Sequence, residues 1–459
     1  MVERFPPPPL ERLLFVRTQT ERTVQEGISI VRLLDDSGSG TESSVIAGME
    51  WATARAKVVN LSLGAGATDG TDPVSQAVNT LSAQTGALFV VAAGNCSFPW
   101  PESVSSPASA DAALAVGNLA RDGSRSRTSC VGPRMGDRAL KPDISAPGEQ
   151  IVAPRAAGTS LGEPVDDNYT SLSGTSMATP HVAGTAVLLA GEHPDWTGAQ
   201  LKSQLMSTAD PQPRSTLSEQ GLGRVDADQS TDTTLTVDLA QLDFGDTAAP
   251  QPDPAPITKN LSYRNSGDEP ITLTITSTMD KAGPAPTPAA AQVVVPAHGQ
   301  VSVPVTADPD TSEGFFTGRV VATPAAGDPL VTGFRWQRKP QLFKVKFTGI
   351  DSVGGPARTL LTGGRLDGKV PIFAVMYNGE LELELPPGTY SVTSEIDTAA
   401  TDTTPDTAAI LSEPEFIVSG DTSIVLDARK AVPVSRSVQG QGGLRPESND
   451  MVLDRTAAD

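Results

Sequence analysis

Ser173-Gly174-Thr175-Ser176-Met177-Ala178-Thr179-Pro180-His181-Val182-Ala183-Gly184 is the stretch from which the rest of this sequence can be read. It sets a serine at the mouth of a long, alanine-rich apolar segment, Thr175 to about Glu192, whose pattern predicts a helix buried on most of its faces. The first turn of a helix carries unpaired backbone N–H groups and a partial positive charge. Such a place suits an oxyanion forming on a carbonyl that Ser176 attacks. A serine near a helix start also serves as a plain capping residue, and the stretch alone leaves both readings open.

Outward from it, strand and helix alternate between about residues 28 and 210. Ile28–Leu34 reads as a short strand, and Thr41 caps a helix to about Arg55 with Val45, Met49 and Ala52 on one face. Lys57–Leu63 is the next strand, and Asp72-Pro73 opens a helix with Pro at its first position. Ala87–Ala93 is a continuous apolar run, as in a parallel strand covered on both faces. Leu114–Gly117 is a further strand, and Thr197 caps a last helix to about Ser207. The alternation predicts an α/β domain built on a parallel sheet.

GTSMATPHVAG closely resembles the nucleophile motif of the subtilisin-like serine peptidases, the subtilases or peptidase family S8. Other segments follow in family order: VRLLDDSGSGTESSVIAGMEWA (31–52), VVNLSLG (58–64), VVAAGN (90–95), KPDISAPG (141–148) and EHPDWTGAQLKSQL (192–205). The resemblance runs from about residue 28 to 226 and implies roles position by position. Ser176 matches the nucleophile, and the Asn95 side chain with the Ser176 N–H matches the oxyanion hole. Ser62-Leu63-Gly64 matches the edge that pairs with an extended substrate backbone. Ala93-Gly94 matches one wall of the pocket for the residue before the scissile bond. The implied activity is hydrolysis of peptide bonds in a protein or peptide substrate, outside the cell or at its surface. The family often binds calcium; no ligand is assignable here, and no other cofactor is implied. GTSMA lacks the second Gly of an α/β-hydrolase elbow.

The sequence also departs from that family. A serine nucleophile needs a base within hydrogen-bond reach and an acid to orient the base. The family supplies an Asp after a central strand and a His in a His-Gly-Thr-His segment, both ahead of the resembling region. This chain has three histidines, at 181, 193 and 298, and none earlier. His181 lies five residues past Ser176, about 140° around the helix, and faces elsewhere. His193 precedes Pro194 in a loop, and His298 sits in a turn. The Asp-bearing strand would lie between Ile28–Leu34 and Lys57–Leu63; without it the sheet closes across the gap or exposes two bare edges. Residues 1–27, with the run Pro6–Pro9 and Arg4, Arg12, Arg17 and Arg22, match nothing in the family. The reading is a truncated member that lacks the leading part of its peptidase domain and is inactive alone. The alternative is a non-catalytic peptide-binding or surface β-domain protein.

After about residue 230 helical periodicity ends. Leu235–Val237, Lys259–Tyr263, Ile271–Ile275, Gln292–Val295, Val301–Val305 and Gly318–Ala322 read as short strands, and Lys259–Thr276 resembles an immunoglobulin-like or fibronectin-III-like domain. Gln341–Ala428, with its Leu-Pro-Pro-Gly-Thr-Tyr turn, resembles a transthyretin-like domain. The expected fold class is therefore α/β, an incomplete parallel-sheet domain at 28–230, followed by all-β domains at 231–340 and 341–428. Thr398–Thr407 reads as a mobile loop and 429–459 as a disordered tail.

Composition is consistent with this. The 459 residues include 42 Gly and 39 Pro, a turn-rich chain, and only 4% aromatics, so its cores rest on aliphatic side chains. A net charge of -20 repels phosphate backbones and argues against nucleic acid as a partner. No apolar run is long enough to span a bilayer, and no secretory signal is visible. Cys96 and Cys130 leave one bridge and two free thiols both open.

Overall fold

The computed structural model describes residues 13–17, 28–35, 38–97, 101–156, 158–248, 255–308, 313–400 and 406–432. The chain divides into two compact units, Met1–Thr247 with Pro252–Arg338, and Ala248–Gln251 with Lys339–Asp459.

The first unit is built on a parallel sheet of six strands: β1 (Leu13–Arg17), β2 (Ile28–Arg32), β3 (Val58–Leu61), β4 (Leu88–Ala92), β5 (Leu114–Leu119) and β6 (Ile144–Pro147), in the order β2-β1-β3-β4-β5-β6. Four helices flank it: α1 (Glu42–Thr53), α2 (Pro73–Thr85), α3 (Thr175–Glu192) and α4 (Gly198–Ser207). The apolar runs explain the two layers. Side chains alternate across a strand, so Val58, Leu88, Val90, Leu114 and Val116 meet Ala178, Val182, Ala186 and Leu189 of α3. Val59, Leu61, Phe89 and Val91 meet Val45 and Met49 of α1 and Val74 and Val78 of α2 on the other face. Local signals end the helices as read: Thr41 and Asp72 accept the Ser44 and Ser75 N–H groups, Thr197 and Gln200 form a capping box, and Gly86 closes α2 at φ 72°.

The expected gap in the sheet is not there. Leu13–Arg17, from the segment that resembles nothing in the family, pairs in parallel with β2 from Leu13–Ile28 to Arg17–Arg32. It also pairs with β3 from Leu13–Val58 to Phe15–Asn60. The physical reason is backbone accounting. Two facing strand edges present rows of unpaired N–H and C=O groups, and a short extended run nearby in the chain satisfies both.

The same unit continues into two antiparallel sheets. One holds Leu235–Val237, Ile257–Asn265, Gln300–Ala307 and Thr287–Pro288; the other holds Gln241–Ala248, Leu330–Lys339, Gly314–Pro324, Ile271–Met279 and Gln292–Val295. Gln241–Ala248 and Leu330–Lys339 escape the sequence pattern. Leu330 to Gln337 is buried at every position: Val331 joins the core beneath α3, while Leu330, Phe334 and Trp336 join the core between the β sheets. A strand buried on both faces loses its alternation. Its Arg335 is buried with ion pairs to Asp243 and Asp246.

The second unit has a three-stranded and a four-stranded sheet around Phe347, Tyr390 and Phe416. Leu381–Leu385 and Thr389–Thr393 lie in strands as read, and the Tyr390 hydroxyl donates to the Pro386 carbonyl at 2.8 Å. The stretch read as a mobile loop falls mainly on 401–405, and the tail from 433 onward, both outside the described residues. Ala428–Lys430, at the head of that tail, forms a 3-10 turn capped by Asp427.

Candidate active site

The C-terminal ends of β3 and β4 and the N-terminus of α3 converge. Gly174 caps α3 at φ 150°, a backbone that favours glycine, and offers no side chain. The missing cap is supplied from 80 residues away: the Asn95 Oδ1 accepts from the Thr175 N–H at 3.0 Å and from its hydroxyl at 3.2 Å. With its oxygen so used, the Asn95 Nδ2 amide lies against Gly174. A Cβ on Gly174 would stand 3.1 Å from that Nδ2, so glycine here keeps the amide in place.

Ser176 and Ser62 bind each other reciprocally. The Ser176 hydroxyl donates to the Ser62 carbonyl at 3.2 Å, and the Ser62 hydroxyl donates to the Ser176 carbonyl at 2.9 Å. Pro180 explains the second bond. In a helix the N–H of residue 180 would bond to the carbonyl of residue 176, and proline has none. The Ser62 hydroxyl takes the orphaned acceptor. Behind it the buried Asn60 donates through Nδ2 to the Ser62 hydroxyl at 3.0 Å, while its Oδ1 is buried with no partner among the described residues. The reading of the sequence missed Asn60; its signal was one amide inside an otherwise apolar strand.

The substrate-side residues named from the sequence lie in the same place. Gly64 and Gly94 both face Ser105: a Cβ on either would come within 2.8 and 2.7 Å of its hydroxyl. The Ala93 carbonyl accepts from the Ser105 N–H at 3.0 Å and from its hydroxyl at 3.1 Å. Leu63 packs partly on the α1–α2 core. The loop carrying Asn95 is pinned by a Cys96–Cys130 disulfide. Bonds from the Cys96 N–H to Thr128 O (2.7 Å) and from the Cys130 N–H to Gly94 O (3.0 Å) pin it further.

The three histidines are engaged elsewhere. His181 Nδ1 lies 2.9 Å from the Met177 carbonyl, His193 stacks on Trp196 at 3.8 Å, and His298 Nε2 lies 2.9 Å from Asp268. Two carboxyls whose titration is shifted are structural. Burial pushes Asp72 up, but hydrogen bonds from Ser106, Ser75 and Thr68 together outweigh it and hold the carboxyl at about 2. Asp143, fully buried, is also pushed up by burial and is held down by Lys141 at 2.7 Å and Lys202 at 3.4 Å. Among the described residues no group of three or more His, Cys, Asp or Glu is placed to hold a metal ion, and no helix is long and apolar enough to cross a membrane.

Residues 23–223 match the sequence pattern of the Subtilase family. Subtilisin DY of Bacillus licheniformis is 35% identical over 181 residues, covering 39% of this chain and 59% of the relative. Subtilisin Savinase of Lederbergia lenta is 38% identical over 180 residues, with the same two coverages of 39% and 59%. A thermostable alkaline protease of Halalkalibacterium halodurans is 37% identical over 180 residues, covering 39% and 44%. The chain thus spans less than two thirds of the length of these relatives. A solved protease structure from Pseudoalteromonas arctica is 29% identical and covers 45% of this chain and 62% of its own, at a TM-score of 0.38. Residues 23–223 thus match the Subtilase family, and there the chain is similar to part of these subtilisins and alkaline proteases.

Proposed function

We propose that this chain binds extended peptides at a subtilisin-type site and does not hydrolyse them on its own. The observation that carries the reading is the engagement of Ser176. Its hydroxyl spends its proton on the Ser62 carbonyl, and all three histidines have other partners. The sheet adds to it. The position where the family resemblance expects the acid-bearing strand is held by β1, which ends on Arg17. Two residues beyond the Phe15–Asn60 pair come Arg17, the last residue of β1, and Ser62, just past the end of β3. A subtilisin deprived of its base or nucleophile loses about 2 × 10⁶ in kcat, while oxyanion hole and binding retain about 10³–10⁴ over water. On this reading Ser176 and Asn95 keep the frame, Ser62-Leu63-Gly64 offers its backbone to the peptide, and Ala93-Gly94 borders one side-chain pocket.

The β regions fit an immunoglobulin- or fibronectin-III-like sandwich and a transthyretin-like domain that space or stabilise the site, and the family points to an extracellular or surface location. Titration of an extended apolar hexapeptide into the full chain tests the function. The peptide binds and is recovered intact, Ser176→Ala binds equally well, and Gly64→Val, whose side chain meets Ser105, abolishes binding. Cleavage of the peptide, or equal binding by Gly64→Val, overturns the reading.

A further inference from the structure

Between α4 and the strands Leu235–Val237, Ile257–Asn265 and Gln300–Ala307 lies a cavity of about 460 Å³. That is within the ~300–1,000 Å³ of small-molecule sites, and its lining shares no residue with the site around Ser176. Gln204 of α4 lines it and is only 2% exposed, yet its Oε1 is buried with no hydrogen-bond donor among the described residues. A buried carbonyl without a donor is costly, and this one stands in the wall of a cavity. The next residue cannot serve it, because the Ser203 hydroxyl donates to the Val237 carbonyl at 2.9 Å and so ties α4 to the sheet. The sheet side is a row of polar side chains. Thr236 pairs with Arg264 and Arg264 with Gln300, so the three share one face. Arg264 donates to the Gln300 Oε1 at 3.2 Å, which leaves other guanidinium N–H groups to donate. Two carboxylates complete the lining. Asp238 accepts the Ser262 N–H at 2.8 Å through one oxygen, and Asp195 stands exposed at the rim.

We propose that this cavity binds a neutral, hydroxyl-rich ligand, a pyranose sugar. The choice follows from what each class of ligand would leave unpaired. The Gln204 Oε1 and the carboxylates take donors, while Arg264 takes acceptors. A hydroxyl is both donor and acceptor, and a ring carrying several of them meets both sets of groups at once. An anion faces Asp195 and Asp238. An ammonium has donors only and meets Arg264. An apolar ligand shuts Gln204 away from water with its Oε1 still unpaired. A peptide brings one backbone donor and one acceptor per residue, strung along a line and not gathered about one ring. Trp196, held by stacking on His193 at 3.8 Å, and Val237 offer apolar contact to the C–H groups of the sugar. In the complex one sugar hydroxyl donates to the Gln204 Oε1 and another accepts from Arg264.

Saturation-transfer NMR on the full chain tests this, with glucose, galactose, mannose and N-acetylglucosamine titrated singly and putrescine as the cationic control. At least one sugar binds saturably in the millimolar range, and putrescine does not. Gln204→Leu exchanges the orphan amide for an apolar side chain. It weakens that sugar about tenfold or more and leaves the urea midpoint equal or higher, because an unpaired buried polar group is lost. Arg264→Ala, on the exposed rim, weakens the same sugar with the midpoint unchanged. Binding of no sugar, binding of putrescine in its place, or unchanged sugar affinity in both variants overturns the proposal. A lower urea midpoint for Gln204→Leu marks the amide as structural and overturns it as well.

Discussion

The reciprocal Ser62–Ser176 contact predicts a measurable coupling between Ser62 and Pro180, two residues that do not touch through a side-chain pair. Ser62→Ala removes the donor to the Ser176 carbonyl, which Pro180 has left without its helical partner, and removes the acceptor of Asn60 Nδ2. An unmade hydrogen bond to a buried group costs about 1–3 kcal/mol, so the single change should cost about 2–3 kcal/mol, part at the carbonyl and part at Asn60. In a Pro180→Ala background the residue-180 N–H returns and can bond to the Ser176 carbonyl. The Asn60 loss is common to both backgrounds and drops out of the cycle. Ser62→Ala should therefore cost about 1 kcal/mol less in the Pro180→Ala background, well above the ~0.3–0.5 kcal/mol within which independent sites add. Urea unfolding of the four proteins, with common m-values, measures the cycle. Additive costs would refute the assignment of the Ser62 hydroxyl as the substitute for the helical bond.

Other consequences follow from the same geometry. Replacing Cys96 and Cys130 by serine opens a covalent link between residues 34 apart. Loop-closure entropy puts the loss at about 3–4 kcal/mol, read from the urea midpoint, while the backbone bonds beside Asn95 persist in amide exchange; a loss under about 1 kcal/mol contradicts this. Gly174→Ala forces an alanine to φ 150° and crowds Asn95 Nδ2, costing about 1–3 kcal/mol and weakening peptide binding beyond the stability loss. Asp72 titrates at about 2 when folded and near 3.8 when unfolded. Its contribution is complete above about pH 4 and fades as pH falls through 2. Because the group is partly solvated, about 1 kcal/mol is expected, measured as the difference in acid stability between the parent and Asp72→Asn.

How much of this was legible depended on whether the signal was local. The apolar runs at 58–61 and 88–92, the caps Thr41, Asp72 and Thr197, and the order of the motifs around Ser176 and Asn95 could be read directly, because periodicity and capping act over a few residues. β1 could not. Leu13–Arg17 is five residues beside a proline run, and what makes it a strand is the pair of edges it fills, neither visible from its own sequence. Leu330–Lys339 hid for a related reason: Arg335 and Gln337 are residue types that usually face water, and only the acids 89 and 92 residues away make burial of Arg335 tolerable. At the site, Ser62 and Ser176 were each named, but their mutual bonds and the part played by Pro180 join positions 114 residues apart. Asn60 was passed over because a single amide in a strand says nothing of what lies across the sheet.

The central claim is that the Ser176 hydroxyl is held, not activated. Incubating the full folded chain with a fluorophosphonate probe and counting label on Ser176 by mass spectrometry tests it most directly. The account predicts labelling no faster than that of the urea-unfolded chain. Stoichiometric, fold-dependent labelling of Ser176 would contradict it.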